Sequence, residues 1–246
     1  MLRDTLYRLS DAANRTIAPS LKYAQRLYED EISCRLKHDI TWLDLGCGHH
    51  ILPPWRQSQE QALVSGCQTV VGLDPCLSAL QTHCSIKRLV AGDISQLPFT
   101  DATFDLATAN MVVEHLSDPL GQFGEVRRVL KPGGRFLFHT PNAFSYFCLM
   151  RRLVPSRLNK HLVWLLDGRR VEDVFPVQYK ANTIGRISDL ARMTGFRVKR
   201  IKMLVSSPVF VFVPPLMIFE LLFLRVLMLK SFKRWRTNII AELEAC

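Results

Sequence analysis

Several things are missing from this chain. No Cys-x-x-Cys pair occurs among the seven cysteines at 34, 47, 67, 76, 84, 148 and 246, an odd number, and no Cys/His cluster has zinc-ligand spacing. That argues against a disulfide framework and a structural zinc. Nothing in Met1–Ala13 resembles a signal peptide, so reduced thiols in a cytoplasmic protein are expected. Low-complexity linkers and internal repeats are lacking. So is a clean transmembrane run: Pro208, Pro214 and Pro215 break the apolar stretch 203–229, and Glu220 and Arg225 lie inside what remains, whereas a span needs about 20 uninterrupted apolar residues. A third glycine is also absent from the turn Gly46-Cys47-Gly48-His49-His50-Ile51, where a dinucleotide-binding Gly-x-Gly-x-x-Gly would require one at 51.

What is present is apolar and unevenly charged. At 246 residues and 48% apolar composition the chain can bury a large core. Residues 1–145 carry 14 Lys and Arg against 15 Asp and Glu, while residues 146–246 carry 18 against 7. The last two fifths therefore attract anions: membrane head groups, a charged substrate or nucleic acid. Regularly interleaved exposed aromatics, which single-strand binders use, are not evident there, so nucleic acid is the least favoured.

Periodicity supplies the architecture. Residues 3–37 have helical spacing, with Leu21, Ala24, Leu27, Tyr28 and Ile32 on one face and Pro19 suited to a first turn. Short apolar strands then alternate with amphipathic stretches. Strands are expected at 40–45, 69–73, 87–91, 104–109 and 134–139, and helices at 55–65, 77–83, 112–116 and 120–130. A helix at 183–194 closed by Gly195, a sixth strand at 196–205 and a candidate seventh at 236–243 follow. Such β-α alternation predicts an α/β fold, doubly wound around a mostly parallel seven-stranded sheet, with N-terminal helices and a basic, apolar C-terminal elaboration. The expected divisions are an N-terminal helical region 1–39, a ligand-binding core 40–140, a cap or insertion 141–182 and a C-terminal part 183–246 that includes an apolar helix 215–230.

The turn at Trp42-Leu43-Asp44-Leu45-Gly46-Cys47-Gly48 carries most of the functional signal. Glycines at 46 and 48 remove Cβ, so the backbone can take positive φ and lie against a ligand. Asp44 adds an acceptor at the strand end. Asp74, ending the second strand, is the residue type that accepts both hydroxyls of a ribose, or else caps the helix from Leu77. Asp93 divides between a ligand role and loop capping.

In this order WLDLGCGHH, VVGLDP, AGDISQLPF, FDLATANMVVEHL and VLKPGGRFLFHTPN resemble the motif series of the class I S-adenosylmethionine-dependent methyltransferases over roughly Trp42–Phe138. The resemblance implies a Rossmann-like fold, S-adenosyl-L-methionine as cofactor, and Asp44, Gly46, Cys47, Gly48, Asp74, Pro75, Asp93, Ile94 and Asn110 as its binding residues. The departure is His49-His50, where that family usually has a small residue and then glycine; either the methionine end of the cofactor sits differently or meets an imidazole, or one ring faces solvent and the other packs under the loop. The 26 residues from Gly48 to Asp74 also exceed the roughly 20 common in related folds, and Leu52-Pro53-Pro54-Trp55 accounts for part of the excess. His115 and His139, at carboxyl ends of strand segments, are the candidate general bases, each with a structural alternative. Glu114-His115 resembles part of a metal site of some quinone O-methyltransferases, but Met111 replaces one ligand, so no metal is expected.

Arg169, Asp173, Tyr179 and Asn182, in and after the charged segment 167–176, are candidate substrate contacts. The expected reaction is methyl transfer to a small or amphiphilic acceptor such as a lipid, quinone or glycan-lipid. Two rival readings stay open: a catalytically silent methyltransferase-like module that scaffolds a membrane complex, and an NAD-dependent oxidoreductase. The apolar helix 215–230, followed by Lys230, Lys233, Arg234, Trp235 and Arg236, could lie on an anionic membrane, pack on the sheet or form a dimer contact. Residence is expected in the cytoplasm, with peripheral attachment to the inner face of the membrane as one form of it.

Overall fold

The computed structural model describes residues 2–53, 56–153 and 176–246. Arg169 and Asp173, with most of the charged segment 167–176, and Trp55 lie outside the described residues.

One seven-stranded mixed sheet has the order β3-β2-β1-β4-β5-β7-β6. Its strands are β1 (Thr41–Leu45), β2 (Thr69–Asp74), β3 (Arg88–Ala91), β4 (Phe104–Asn110), β5 (Leu130–Pro141), β6 (Phe196–Leu204) and β7 (Asn238–Ala245). β1 pairs in parallel with β2 and β4, β2 with β3, and β4 with β5. In β1 the run Trp42–Leu45 is buried throughout, as expected for a strand covered on both faces, and Asp44 is its one polar residue. Strand order reverses between β1 and β4, and ligands of such sheets bind beyond the strand carboxyl ends at that point.

The helices are α1 (Leu2–Ile17), α2 (Ala24–Ser33), α3 (Gln57–Ser65), α4 (Leu77–Thr82), α5 (Pro119–Val129), α6 (Tyr146–Leu153), α7 (Ile184–Met193) and α8 (Pro214–Leu227). Three expectations change. Pro19 lies in the turn between α1 and α2 rather than in a helix's first turn. Val112–Leu116 forms only a 3-10 turn at Val113–His115. β5 begins at Leu130, four residues earlier than expected, and passes through Gly133, whose φ of +77° is open to glycine. α7 has the expected bounds because Thr183 caps it, accepting the Arg186 N–H at 3.2 Å, and Gly195 leaves it at φ +76°.

The chain divides into two compact units. The larger (28–140, 177–202, 239–246) holds most of the sheet. Its core includes Phe123, Phe136 and Phe138, whose rings meet edge-on or tilted at centroid separations of 4.8–5.8 Å. In the same unit Glu242 accepts from Arg35 (2.9 and 2.6 Å) and Arg135 (2.5 Å), and Glu31 accepts from Arg35 at 2.8 Å. Burial alone would raise the Glu242 pKa, but these guanidinium hydrogen bonds outweigh it and hold the carboxyl down at about 2.

The smaller unit (1–27, 141–176, 203–238) is built around α8. Met217, Leu221, Leu224 and Leu227 pack with Ala18, Leu21 and Val205. Glu220 shares the buried face of that apolar helix because its carboxylate is fully engaged: it accepts the Val209 N–H (2.8 and 2.9 Å), the Phe210 N–H (2.9 Å) and the Tyr146 hydroxyl. Arg225 donates to the Ile17 carbonyl at the end of α1, at 3.0 Å. No helix among the described residues is long and apolar enough to cross a membrane.

Candidate functional site

The candidate site is built on the glycine turn after β1. Gly46 and Gly48 take φ +68° and +54°, the left-handed region that glycine enters without steric cost. Their surroundings differ. A Cβ on Gly46 would lie 2.4 Å from Val112 Cγ2, so this glycine is demanded by the turn after β4 that folds against it. A Cβ on Gly48 would meet nothing within 4 Å, so the loop there faces open space. The turn is pinned to β2: Gly46 and Cys47 N–H donate to the Leu73 carbonyl at 2.7 and 3.2 Å.

Asp74 joins two loops. Its Oδ2 accepts the Gly48 N–H at 2.9 Å and its Oδ1 the Cys76 N–H at 2.8 Å. It therefore organises the turn that enters α4 rather than capping that helix, whose N-cap is Cys76. Each carboxylate oxygen keeps a second lone pair for a diol. Pro75 is exposed beside it.

Asp44 and Cys47 are less accessible than their positions in sequence suggest. Asp44 is buried and accepts the Thr108 hydroxyl at 2.5 Å, while the Trp42 indole N–H donates to the same Thr108 oxygen at 2.6 Å. Burial pushes the Asp44 pKa up to about 7; the Thr108 hydrogen bond opposes the shift, and Glu60 and Asp74 add to it. The Cys47 thiol is packed beneath the loop, where a Cβ on Gly72 would come within 2.8 Å of it, and burial drives its pKa far up. That leaves its backbone as the part a ligand could meet.

Asp93 is exposed, and its Oδ1 accepts the Ser95 N–H at 2.7 Å, an Asx turn that leaves Ile94 half-buried beside it. His49 and His50 are both exposed, so neither ring packs under the loop; His49 Nδ1 sits 2.6 Å from the Thr82 hydroxyl, which ties that ring to α4. The long connection after the turn is anchored by Glu60, a buried carboxylate that accepts the Leu52 N–H at 2.7 Å.

At the β4–β5 end the structure separates the two histidines. His139 is buried, its Nδ1 lies 2.9 Å from Asn110 Oδ1, and its ring is 5.6 Å from that of Tyr28. Burial alone lowers its pKa to about 4, so it is neutral and supports Asn110 rather than presenting itself to an acceptor. His115 is partly exposed, with Nε2 4.0 Å from Glu114 Oε1. Asn182 is a correction: it is fully buried and its amide donates to Thr140 Oγ1 at 2.6 Å, while the Thr140 hydroxyl donates to Glu114 Oε2 at 3.0 Å. Tyr179 is half-buried with φ +52°, and its N–H, with that of Gln178, donates to the Glu114 carbonyl. Met111 also has positive φ (+57°), its N–H held by the His139 carbonyl at 2.8 Å. Among the described residues no three His, Cys, Asp or Glu side chains form a metal-ligand group.

Sequence reasoning missed Thr108, Glu60, Val112 and Thr140. Thr108 and Val112 lie inside runs that read as plain strand or helix, and only the three-dimensional pairing of β1 with β4 gives them partners.

Comparisons with known proteins agree with this geometry. Residues 43–138 match the family model described as a methyltransferase domain. Malonyl-[acyl-carrier protein] O-methyltransferase of Pseudescherichia vulneris is 37% identical over 123 residues, 47% of this chain and 45% of its own. Demethylmenaquinone methyltransferase of Corynebacterium kroppenstedtii is 41% identical over 87 residues, 34% of this chain and 36% of its own. The matched segments thus span less than half the length of either relative. The fold is shared with an S-adenosylmethionine-dependent methyltransferase from Mesorhizobium loti (TM-score 0.56, 18% identity, 90% of this chain and 98% of that one). Geranyl diphosphate C-methyltransferase from Streptomyces coelicolor A3(2) has it too (TM-score 0.53, 15% identity, 90% and 76%). Residues 43–138 therefore match a methyltransferase domain, and the fold is that of the S-adenosylmethionine-dependent methyltransferases.

Proposed function

We propose that the protein transfers a methyl group from S-adenosyl-L-methionine to a small or amphiphilic acceptor of lipid, quinone or glycan-lipid type, in the cytoplasm or at the inner face of a membrane. The observation that carries the reading is Asp74 bridging the Gly48 and Cys76 N–H groups at the switch point of the sheet, with open space over Gly48. The donor set suits the cofactor: a carboxylate for the ribose, an uncovered glycine backbone for the methionine end, and Pro75, Asp93, Ile94 and Asn110 around the rim. Bound there, S-adenosylmethionine supplies an electrophilic methyl on a sulfonium whose leaving group is neutral, so alignment and desolvation dominate the demands on the protein.

His115 is the residue placed to take a proton from a hydroxyl acceptor, because it is partly exposed and the Glu114 carboxylate beside it favours the imidazolium that results. His139 serves by holding Asn110, and Asn182 by holding the Thr140–Glu114 pair; Tyr179, next to that pair, is the remaining substrate contact within the described residues. The acceptor class is supported by two relatives named for malonyl-[acyl-carrier protein] and demethylmenaquinone.

Calorimetry with S-adenosylmethionine tests the reading. One cofactor should bind per chain, and Asp74→Ala should weaken it at least tenfold; no detectable heat at millimolar cofactor removes the enzyme reading. With an acceptor found by mass-spectrometric screening for a one-methyl gain, His115→Gln should lower kcat by about 10²-fold and leave cofactor affinity unchanged. A kcat that stays within twofold would exclude His115 as the base.

A further inference from the structure

The smaller unit carries an apolar surface that the transfer reaction does not use. On α8 the face opposite Met217, Leu221 and Leu224 exposes Leu216, Ile218, Phe219, Leu222, Phe223 and Val226, with Phe219 71% exposed. Isolated exposed apolar residues are ordinary on a protein surface, but six on one short helix form a contiguous patch of the kind that marks an interaction site. No acidic group interrupts it, since Glu220, the one Asp or Glu between 213 and 236, is buried and saturated with donors.

The helix runs directly into the 3-10 turn Lys230–Trp235, where Lys230, Lys233, Arg234 and Trp235 are all exposed. That turn is held in place. The Asn142 amide donates to the carbonyls of Arg234 and Arg236 at 2.9 and 2.7 Å. The Arg234 guanidinium lies 4.8 Å over the Phe144 ring, which in turn is 6.4 Å from Trp235. Cations and an indole are thus displayed beside the apolar patch by a fixed backbone.

From this we propose that α8 and the turn after it form a membrane-docking surface, with the apolar side chains of α8 set into the acyl boundary of an anionic bilayer and Lys230, Lys233 and Arg234 on its phosphates. Charge decides for a lipid surface over a second copy of the chain. Protein interfaces are depleted of lysine at their centre, whereas Lys, Arg and Trp flanking an apolar helix match a negative leaflet. Length agrees: 14 residues make a helix of about 21 Å, too short for a hydrocarbon core of about 30 Å and suited to lying in its plane.

Flotation of the full chain with phosphatidylcholine vesicles, with and without 30 mol% phosphatidylglycerol, is the test. Wild type should float with the anionic vesicles, much less with neutral ones, and should be released by 0.5 M NaCl. Phe219→Glu/Phe223→Glu should cut partitioning at least tenfold. Lys233→Ser/Arg234→Ser, which leaves the helix alone, should lower it about fivefold per charge removed. Unchanged cofactor calorimetry and melting temperature in both variants separate lost docking from lost folding, and separate failure of this proposal from failure of the methyltransferase reading. Wild type that stays unbound to anionic vesicles, or floats equally after the Phe substitutions in a folded protein, overturns the proposal. So does a dimer in light scattering that Phe219→Glu/Phe223→Glu converts to monomer while no vesicle binding is seen.

Discussion

At the residue scale, the two glycines of the turn carry separable duties. Gly46→Ala places a methyl against Val112 at a backbone angle alanine resists, so we expect about 2 kcal/mol of destabilisation, of the order of overpacking. Denaturant melts should register it, and Val112→Ala should restore part of the loss. Gly48→Ala meets no neighbour, so the cost to folding should stay near 1 kcal/mol, that of the left-handed angle alone. Its methyl projects into the space offered to the cofactor, and calorimetry should show affinity falling more than stability. This pair of glycines, with Asp74, was legible in the sequence because a strand–glycine-turn–helix is written in adjacent residues. The chain Trp42–Thr108–Asp44 was not, since it joins residues 64 and 66 apart through strand pairing that no local pattern announces.

Among the elements, α8 shows what a single polar group does inside an apolar helix. Glu220→Ala removes the acceptor of the Val209 and Phe210 N–H groups and of the Tyr146 hydroxyl together, and strands buried donors. A loss of about 3 kcal/mol is expected in thermal or denaturant unfolding, with Tyr146→Phe costing nearer 1 kcal/mol. From sequence, Glu220 counted only as an interruption of a span; its task as a cap for the 209–210 turn depends on a chain reversal that periodicity does not encode. The central strands β1, β2 and β4 were legible, because buried parallel strands are largely apolar on both faces and bounded by turn residues. Helix ends followed where a local cap wrote them, as at Thr183 and Gly195. Where only tertiary packing sets the limit, as at the short 3-10 turn after β4, the pattern overstated the helix.

For the molecule as a whole, pH acts through four buried groups of opposing sign. Asp44, raised from 3.8 to about 7, keeps its proton in the folded state, so its contribution is complete below about 3.8 and is lost as pH rises toward 7. His139, lowered from 6.5 to about 4, contributes above 6.5 and is lost as pH falls toward 4; His83, also lowered by burial, acts in the same sense. Glu242, held at about 2 against an ordinary 4.5, contributes above 4.5 and fades only in stronger acid. Denaturant titrations from pH 4.5 to 7 should therefore give a shallow profile in wild type. In His139→Gln the Asp44 term is less opposed, and stability should fall with rising pH by up to about 1 kcal/mol per unit; a variant profile that matches wild type would show that His139 does not titrate in this window. The overall strand order was not readable from local pattern, for β7 inserts between β5 and β6 after a long excursion.

Glu220 has one more consequence, for depth. Carrying α8 below a bilayer's head groups would require either taking a carboxylate into hydrocarbon or tearing it from three donors, several kcal/mol in each case. Under the docking proposal the acid would act as a float line: the helix would rest in an interface with its buried side still turned to its own protein, and attachment would stay reversible because sinking further is closed to it.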